Sequence, residues 1–268
     1  MPPAAAPQET KLLPGSAIIL IRPKYPENIG ASARIAFNFG IEQIIVVSDR
    51  ERPDQERMLK MATHKAAHLI HNLKFFSDNR EAAKPFHFIV GTTARQGRHR
   101  LRVQTPREVM TKLAPLVPGN KIAIMFGPED SGLTNDDLDL CQFTSTIATA
   151  DFSSLNLAQA VAIHCYELSM SLHNISTPDK SDYANSHDLE GMYDHIEQAL
   201  AQITFIRHTN STYWMRNIRQ FLGRMKLRKK EASLIRGVCR KFLWHCEQQE
   251  KTPPDSRPSA AQKKVTGK

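Results

Sequence analysis

The sequence predicts an α/β fold, a mostly parallel sheet layered between helices, followed by a small helical extension. Two observations carry the first part. Near-continuous apolar or β-branched runs alternate with helical stretches through the first two thirds of the chain, and runs of this kind suit strands buried on both faces of a parallel sheet. A third observation carries the second part: beyond a polar, turn-rich stretch, apolar residues recur at helical spacing only.

The expected strands are "AIILIR" (17–22), "QIIVVS" (43–48), "FHFIV" (86–90), "KIAIMF" (121–126) and "TSTIAT" (144–149). Between them lie helical stretches of crossover length at 28–39, 54–70, 77–84, 106–116 and 134–141, and a long helix follows at about 155–172. "NISTPDKSDYANSH" reads as a linker. Leu189, Met192, Tyr193, Ile196, Leu200 and Ile203 then mark one helix, with others expected at 211–222 and 230–247. The expected organisation is an arm at 1–15, an α/β domain at 16–173, the linker at 174–187, a basic helical extension at 188–250 and a tail at 251–268.

Composition narrows the function classes. No apolar run reaches the ~20 residues a membrane span needs, and the first sixteen residues lack the basic and apolar regions of a signal peptide. Four cysteines without C-x-x-C spacing predict reduced thiols in a cytoplasmic protein, and no His/Cys/Asp cluster has metal-ligand spacing, so no metal is expected. The net charge is +9, yet the segment from Arg207 to Lys241 holds eleven Lys/Arg and one acid, Glu231. The basic excess therefore lies wholly in the extension, interleaved with Tyr213, Trp214 and Phe221, as a polyanion-binding surface requires.

In a parallel α/β sheet, ligands bind outside the carboxyl ends of the strands, and several stretches occupy such positions. "RPKYPENIGASAR" offers Asn28 as a helix N-cap candidate and places Arg34 nearly two turns inside the helix. If buried there, Arg34 must be paired or face a cleft, and spacing leaves both readings open. "FGPEDSGLTNDDL" has Gly127 and Gly132 for close approach of a ligand to the main chain, Glu129 between them, and a Thr134/Asp137 capping box. "ADFSSLNLAQAVAIHCYEL" carries Asn156 in the first turn of a helix with a small-residue apolar stripe. "GTTARQGRHRLR" adds Arg95, Arg98 and Arg100 in a loop. There is no G-x-G-x-x-G, no G-x-x-x-x-G-K-[ST] and no G-x-S-x-G, which argues against dinucleotide binding, P-loop chemistry and a hydrolase triad.

Together, N-x-G-x-x-x-R in "NIGASAR", F-G-x-E-x-x-G-L-T in "FGPEDSGLT" and S-L-N-L-A-x-A-V in "SLNLAQAV" resemble the three motifs of the SPOUT RNA methyltransferases, most closely the TrmJ group of tRNA 2′-O-methyltransferases. The resemblance runs from about Ser16 to His245. It implies a C-terminal trefoil knot in the α/β domain, an obligate homodimer, and S-adenosyl-L-methionine as cofactor. It also implies methylation of a tRNA ribose, at cytidine or uridine on the 5′ side of the anticodon loop (position 32), with ribosomal RNA and a non-catalytic RNA-binding scaffold as alternatives. Carried onto this sequence, the cofactor would be held by Gly91, Thr92 and Thr93, by Phe126, Gly127, Pro128 and Glu129, by Ile147, and by Ser154, Leu155 and Asn156. Arg34, Asn28 and Glu129 would be the catalytic set. A guanidinium keeps its proton to about pH 12, so Arg34 is expected to orient the hydroxyl or a phosphate, with a role as base left open. RNA would be held by Arg95, Arg98, Arg100, Arg224, Lys226, Arg228, Lys229 and Lys230.

Overall fold

A computed structural model of the chain describes residues 13–94, 104–150, 155–173, 175, 177–179, 181–207 and 209–251. Among these, six strands form one sheet: β1 (Leu13–Ile21), β2 (Ile41–Val47), β3 (Lys74–Phe76), β4 (Phe88–Thr92), β5 (Ile122–Phe126) and β6 (Phe143–Ser145). The order is β3-β2-β1-β5-β4-β6, and every pairing is parallel. The apolar runs sit where expected because both faces are covered. Ile18, Leu20, Ile124 and Phe126 point into one core, and Ile19, Ile21, Ala123 and Met125 into the other. β1 starts at Leu13, so residues 13–15 belong to the sheet and not to the arm. β3 was not foreseen, since three residues at an edge show no periodicity, and β6 ends earlier than the expected 149.

The helices of this domain are α1 (Pro26–Asn38), α2 (Gln55–His71), α3 (Asn79–Ala83), α4 (Pro106–Leu113), α5 (Asn135–Leu138) and α6 (Leu157–His173). α1 opens with Pro26 in its first turn behind an extended Tyr25, which is the N-cap. Asn28 therefore sits inside the helix and does not cap it. Gly30 lets α1 lie against α2: a Cβ there would stand 2.0 Å from the Met58 carbonyl oxygen. α2 is broken at Thr63, whose φ of 62° and ψ of 170° lie outside helical space.

The extension comprises α7 (Ser186–Gln202), α8 (Ser211–Gly223) and α9 (Lys229–Lys251), around a small core of Leu189, Met192, Tyr193 and Met215. α7 begins inside the expected linker. The described residues before it are pinned: Tyr183 donates to Asp179 at 2.6 Å, stacks edge-on against Phe88, and pairs with Arg228. Arg216 of α8 reaches back to the α/β domain, with Nε 3.1 Å from both carboxylate oxygens of Asp139 and Nη2 3.4 Å from Asp136. Arg219 pairs with Glu190 and lies 4.4 Å over the Tyr193 ring.

The carboxyl end of β1, the loop after β5 and the start of α3 meet on one buried carboxylate. Asp137 is 1% exposed. Its Oδ2 accepts from Arg22 Nη2 at 2.6 Å, Thr134 Oγ1 at 2.7 Å and the Thr134 amide at 2.9 Å, and its Oδ1 accepts from Asn79 Nδ2 at 2.7 Å. The capping box expected at Thr134 and Asp137 is present, and Asp137 does more than close it. Asp137→Ala should cost about 2–3 kcal/mol in urea unfolding, under the ~3–5 typical of a fully buried pair because Arg22 still reaches water. A loss below about 0.5 kcal/mol, the scale of an ordinary surface change, would show that the carboxylate does not hold this junction.

Candidate active site

The sheet order reverses between β1 and β5, so the loops leaving these strands diverge and open a crevice at their carboxyl ends. A cavity of about 240 Å³ lies on the β5 side, lined by the ends of β4, β5 and β6, the loop from Gly127 to Leu133, and the first turns of α6. Of the residues expected to hold a cofactor, Thr92, Thr93, Phe126, Gly127, Pro128, Glu129, Ile147 and Leu155 line it. Ser154 lies outside the described residues. Gly91 and Asn156 are not in the lining.

The glycines also serve packing. A Cβ on Gly127 would fall 2.2 Å from the backbone of Gly132 and Leu133, and one on Gly91 would fall 2.7–2.8 Å from the Leu138 and Cys141 side chains. Gly127 thus lines the cavity and at the same time lets the loop fold back on itself. Gly132 has a φ of +65°, which closes the loop back toward Pro128 through a 2.8 Å amide-to-carbonyl hydrogen bond.

Beside the cavity, the three motif stretches converge on one polar node. Asn28 Nδ2 donates to Glu129 Oε1 at 2.7 Å, and Asn156 Nδ2 donates to Asn28 Oδ1 at 3.0 Å. The Lys24 amide donates to Glu129 Oε2 at 3.0 Å, and Lys24 Nζ pairs with Asp130 at 2.5 Å. Glu129 thus binds a backbone amide and an amide side chain, and among the described residues no arginine pairs with it. Asn156 also caps α6, its Oδ1 accepting from the Ala158 amide at 2.9 Å while Gln159 Oε1 accepts from its own amide. Residues 128 apart are fixed to each other through Asn28.

Arg34 does not belong to this node. It is exposed on α1, outside the cavity lining, and among the described residues it makes no ion pair. The condition under which it would need a partner, burial, is not met. Asn28 and Arg34 are six residues apart, which puts them on different helix faces.

His164 was missed by sequence reasoning. It is buried, lines the cavity, and stands edge-on to Phe126 at 5.4 Å. Its Nδ1–H donates to the Ala160 carbonyl at 2.8 Å, so Nε2 accepts from Ser145 Oγ at 2.9 Å. Burial pulls its pKa down to about 4, so it is neutral at pH 7 and adds no charge to the cleft. A histidine inside an apolar helical stripe gives no sign of this, because Ser145 belongs to another element.

On the extension, Arg224, Arg228, Lys229 and Lys230 are exposed and Lys226 is half-buried. Arg95, Arg98 and Arg100 lie outside the described residues. Arg216 and Arg219 are held by carboxylates, which removes two of the eleven cations from any external surface.

The cleft suits a nucleoside with a cationic tail. Leu133, Ile147, Leu155 and Leu157 give it apolar walls, the Gly127–Gly132 loop gives main-chain groups, Glu129 gives negative charge while Asp130 is paired with Lys24, and the one histidine in the lining is neutral. Three comparisons with known proteins bear on what occupies it. Residues 15–166 match the SpoU rRNA Methylase family, and residues 187–252 match the tRNA methyltransferase TrmJ C-terminal domain. The tRNA (cytidine/uridine-2′-O-)-methyltransferase TrmJ of Sodalis glossinidius is 31% identical over 91% of this chain and 98% of its own. The tRNA (cytidine/uridine/adenosine-2′-O-)-methyltransferase TrmJ of Pseudomonas aeruginosa is 29% identical over 82% of this chain and 91% of its own. The crystal structure of TrmJ from Z. mobilis superposes with a TM-score of 0.74 at 29% identity, covering 85% of this chain and 99% of that one.

Buried His164 and Asp137, with half-buried His87, contribute to the pH dependence of stability. His164 is held at about 4 by burial, below its ordinary 6.5, so the unfolded chain binds more protons between those values. Stability is full above pH 6.5 and falls by roughly 3 kcal/mol as pH drops to 4. His87, lowered by burial, adds in the same direction. Burial pushes Asp137 up, but hydrogen bonds from Thr134, Arg22 and Asn79 together hold it below the ordinary carboxylate range. Its contribution is therefore lost only at lower pH, as its depressed pKa is crossed. His164→Gln should flatten the slope of Tm between pH 6.5 and 4, and an unchanged slope would mean His164 titrates normally.

Proposed function

This chain belongs to the SpoU methylase family, and from that premise we propose that it is a tRNA (cytidine/uridine-2′-O-)-methyltransferase acting with S-adenosyl-L-methionine. The observation that carries the reading is the meeting of Asn28, Glu129 and Asn156 beside an apolar-walled cleft at the sheet's switch point. The net charge of the extension supports an RNA substrate. The relatives named for cytidine and uridine support a pyrimidine target, which we place in the anticodon loop, at position 32.

Bound in the cleft, S-adenosyl-L-methionine supplies an electrophilic methyl group on a positively charged sulfur. The residues of this chain do the rest. Leu133, Ile147, Leu155 and Leu157 would exclude water from a molecule bound in the cleft. Glu129, held by the Asn28 side chain and the Lys24 amide, would offer negative charge to a bound cation, whereas Asp130 is paired with Lys24, and neutral His164 would add no opposing charge. Asn28 and Asn156 lock the loops that shape the cleft, so their role is positioning. Family membership supports a trefoil knot in the segment that leaves β6 and returns as α6.

Arg34 fits this chemistry through a homodimer. Tyr166 and Met170 expose apolar surface on α6, which packs beside α1, and Phe37 does so one turn beyond Arg34 on α1 itself. Pairing two copies through this face would cover those residues and bring the Arg34 guanidinium to the partner's cleft. There it would donate hydrogen bonds to the ribose hydroxyl or an adjacent phosphate, in keeping with a group that holds its proton at neutral pH.

Incubating the protein with labelled cofactor and unmodified tRNA transcripts, then digesting to nucleosides, should yield a 2′-O-methylpyrimidine. Arg34→Ala should lower the rate by about 10²–10³ without weakening cofactor binding. A base-methylated product would overturn the substrate assignment. Mixed dimers of Arg34→Ala and Asn156→Ala chains should regain about a quarter of wild-type activity if the arginine acts across the interface; inactive mixtures would put it in its own subunit's site. Binding to tRNA should fall with salt at a log–log slope of about −3 to −5, flattened by replacing Arg228, Lys229 and Lys230 with alanine. An unchanged slope would remove the start of α9 from the RNA surface.

A further inference from the structure

The turn between α7 and α8 carries an aromatic surface separate from the cofactor cleft. Phe205 and Tyr213 are 48% and 58% exposed. Both stack on half-buried Trp214, with ring centroids 4.9 Å and 5.5 Å away and planes tilted by 51° and 76°. The Trp214 body packs on the extension core, so the outer rings stand on a fixed base.

The backbone is bent to present them. α7 ends in a Schellman turn: the Phe205 amide donates to the Leu200 carbonyl and the Thr204 amide to the Ala201 carbonyl. The residue in the left-handed position is Thr204, with φ +56°, where glycine is usual. A β-branched residue is strained there. This bend turns Phe205 outward, where it meets Trp214 instead of burying itself on α7.

The chain that follows Phe205 is cationic. Arg207 is exposed two residues from Phe205, and the segment from Arg207 to Lys241 has a single acid, Glu231. The Glu197 carboxylate of α7 accepts from the Ser211 hydroxyl at the start of α8. Exposed aromatic rings on a cationic segment match the faces of unpaired bases and their backbone, while a base-paired helix offers no free base face.

We infer that Phe205, Tyr213 and Trp214 form a stacking platform for unpaired nucleotides of the RNA substrate. The platform rests on the proposed RNA substrate and deepens it. The extension then holds RNA by two means: α9 meets phosphates through its cations, and the α7–α8 turn takes splayed bases.

Trp214 and Trp244 are the two tryptophans of the chain, so Trp244→Phe leaves Trp214 as the sole reporter. In the full-length Trp244→Phe protein, a tRNA transcript and a single-stranded oligoribonucleotide of anticodon-loop sequence should quench its emission. An RNA duplex of equal length should not. Phe205→Ala and Tyr213→Ala should each raise the Kd for tRNA about 10-fold, with the salt slope unchanged. Ring-retaining Phe205→Tyr and Tyr213→Phe should bind as wild type, which separates stacking from misfolding. The platform is overturned if tRNA binds and is methylated while Trp214 emission and the variants' Kd stay put. It is likewise overturned if the alanine variants change the sedimentation mass and leave RNA affinity intact, since a second copy then covers the patch. Wild-type protein that binds no RNA at all would sink the functional reading itself, and the platform with it.

Discussion

A buried carboxylate with four hydrogen bonds is the constraint on which the site depends. Asp137 collects Arg22 from the end of β1, Asn79 from the start of α3, and the amide and hydroxyl of Thr134 at the end of the loop that lines the cleft. A carboxylate so enclosed stays ionised only because these donors outweigh the loss of water. Arg22 is drawn into a positive φ of 47° to reach it. Two residues further along, Lys24 gives its amide to Glu129. The loops after β1 and β5 are therefore tied twice, once behind the cleft through Asp137 and once beside it through Glu129.

The same short helix links the cleft to the extension. Asp137 faces inward from α5, while Asp136 and Asp139 face Arg216 of α8. A surface ion pair alone contributes little, but Arg216 and both oxygens of Asp139 are partly shielded, and the strap around Tyr183 adds ring packing and β-type pairing. The basic extension is thus held against the element that follows the cleft-lining loop. Cations that look alike in sequence separate into two kinds here. Arg216 and Arg219 are occupied in docking and internal packing, whereas Arg228, Lys229 and Lys230 at the start of α9 are exposed.

Much of the architecture was legible from local pattern. The apolar runs became strands because both faces of the sheet are covered, and the Thr134/Asp137 spacing became a capping box because its geometry spans one turn. Three motif stretches marked the right loops. What local pattern did not reach was the partner a side chain meets from a distant element. Asn28 looked like an N-cap, yet Tyr25 and Pro26 start the helix and Asn28 turns to Glu129. Gly127 lines the cleft and also makes room for Leu133, a contact no local pattern announces. Arg34 lies in a helix that packs, yet its own side chain is exposed.

The sequence by itself determined the order of elements, the cationic extension, the family of the three motifs and most of the cleft lining. These follow from periodicity, charge and residue type, which act over a few neighbours. Only the tertiary structure decided that Asn28, Glu129 and Asn156 form one node, that His164 stands neutral against Ser145, and which cations stay free. Those facts depend on pairs more than a hundred positions apart, or on burial by another element, and nothing local encodes the partner a side chain meets when the sheet closes.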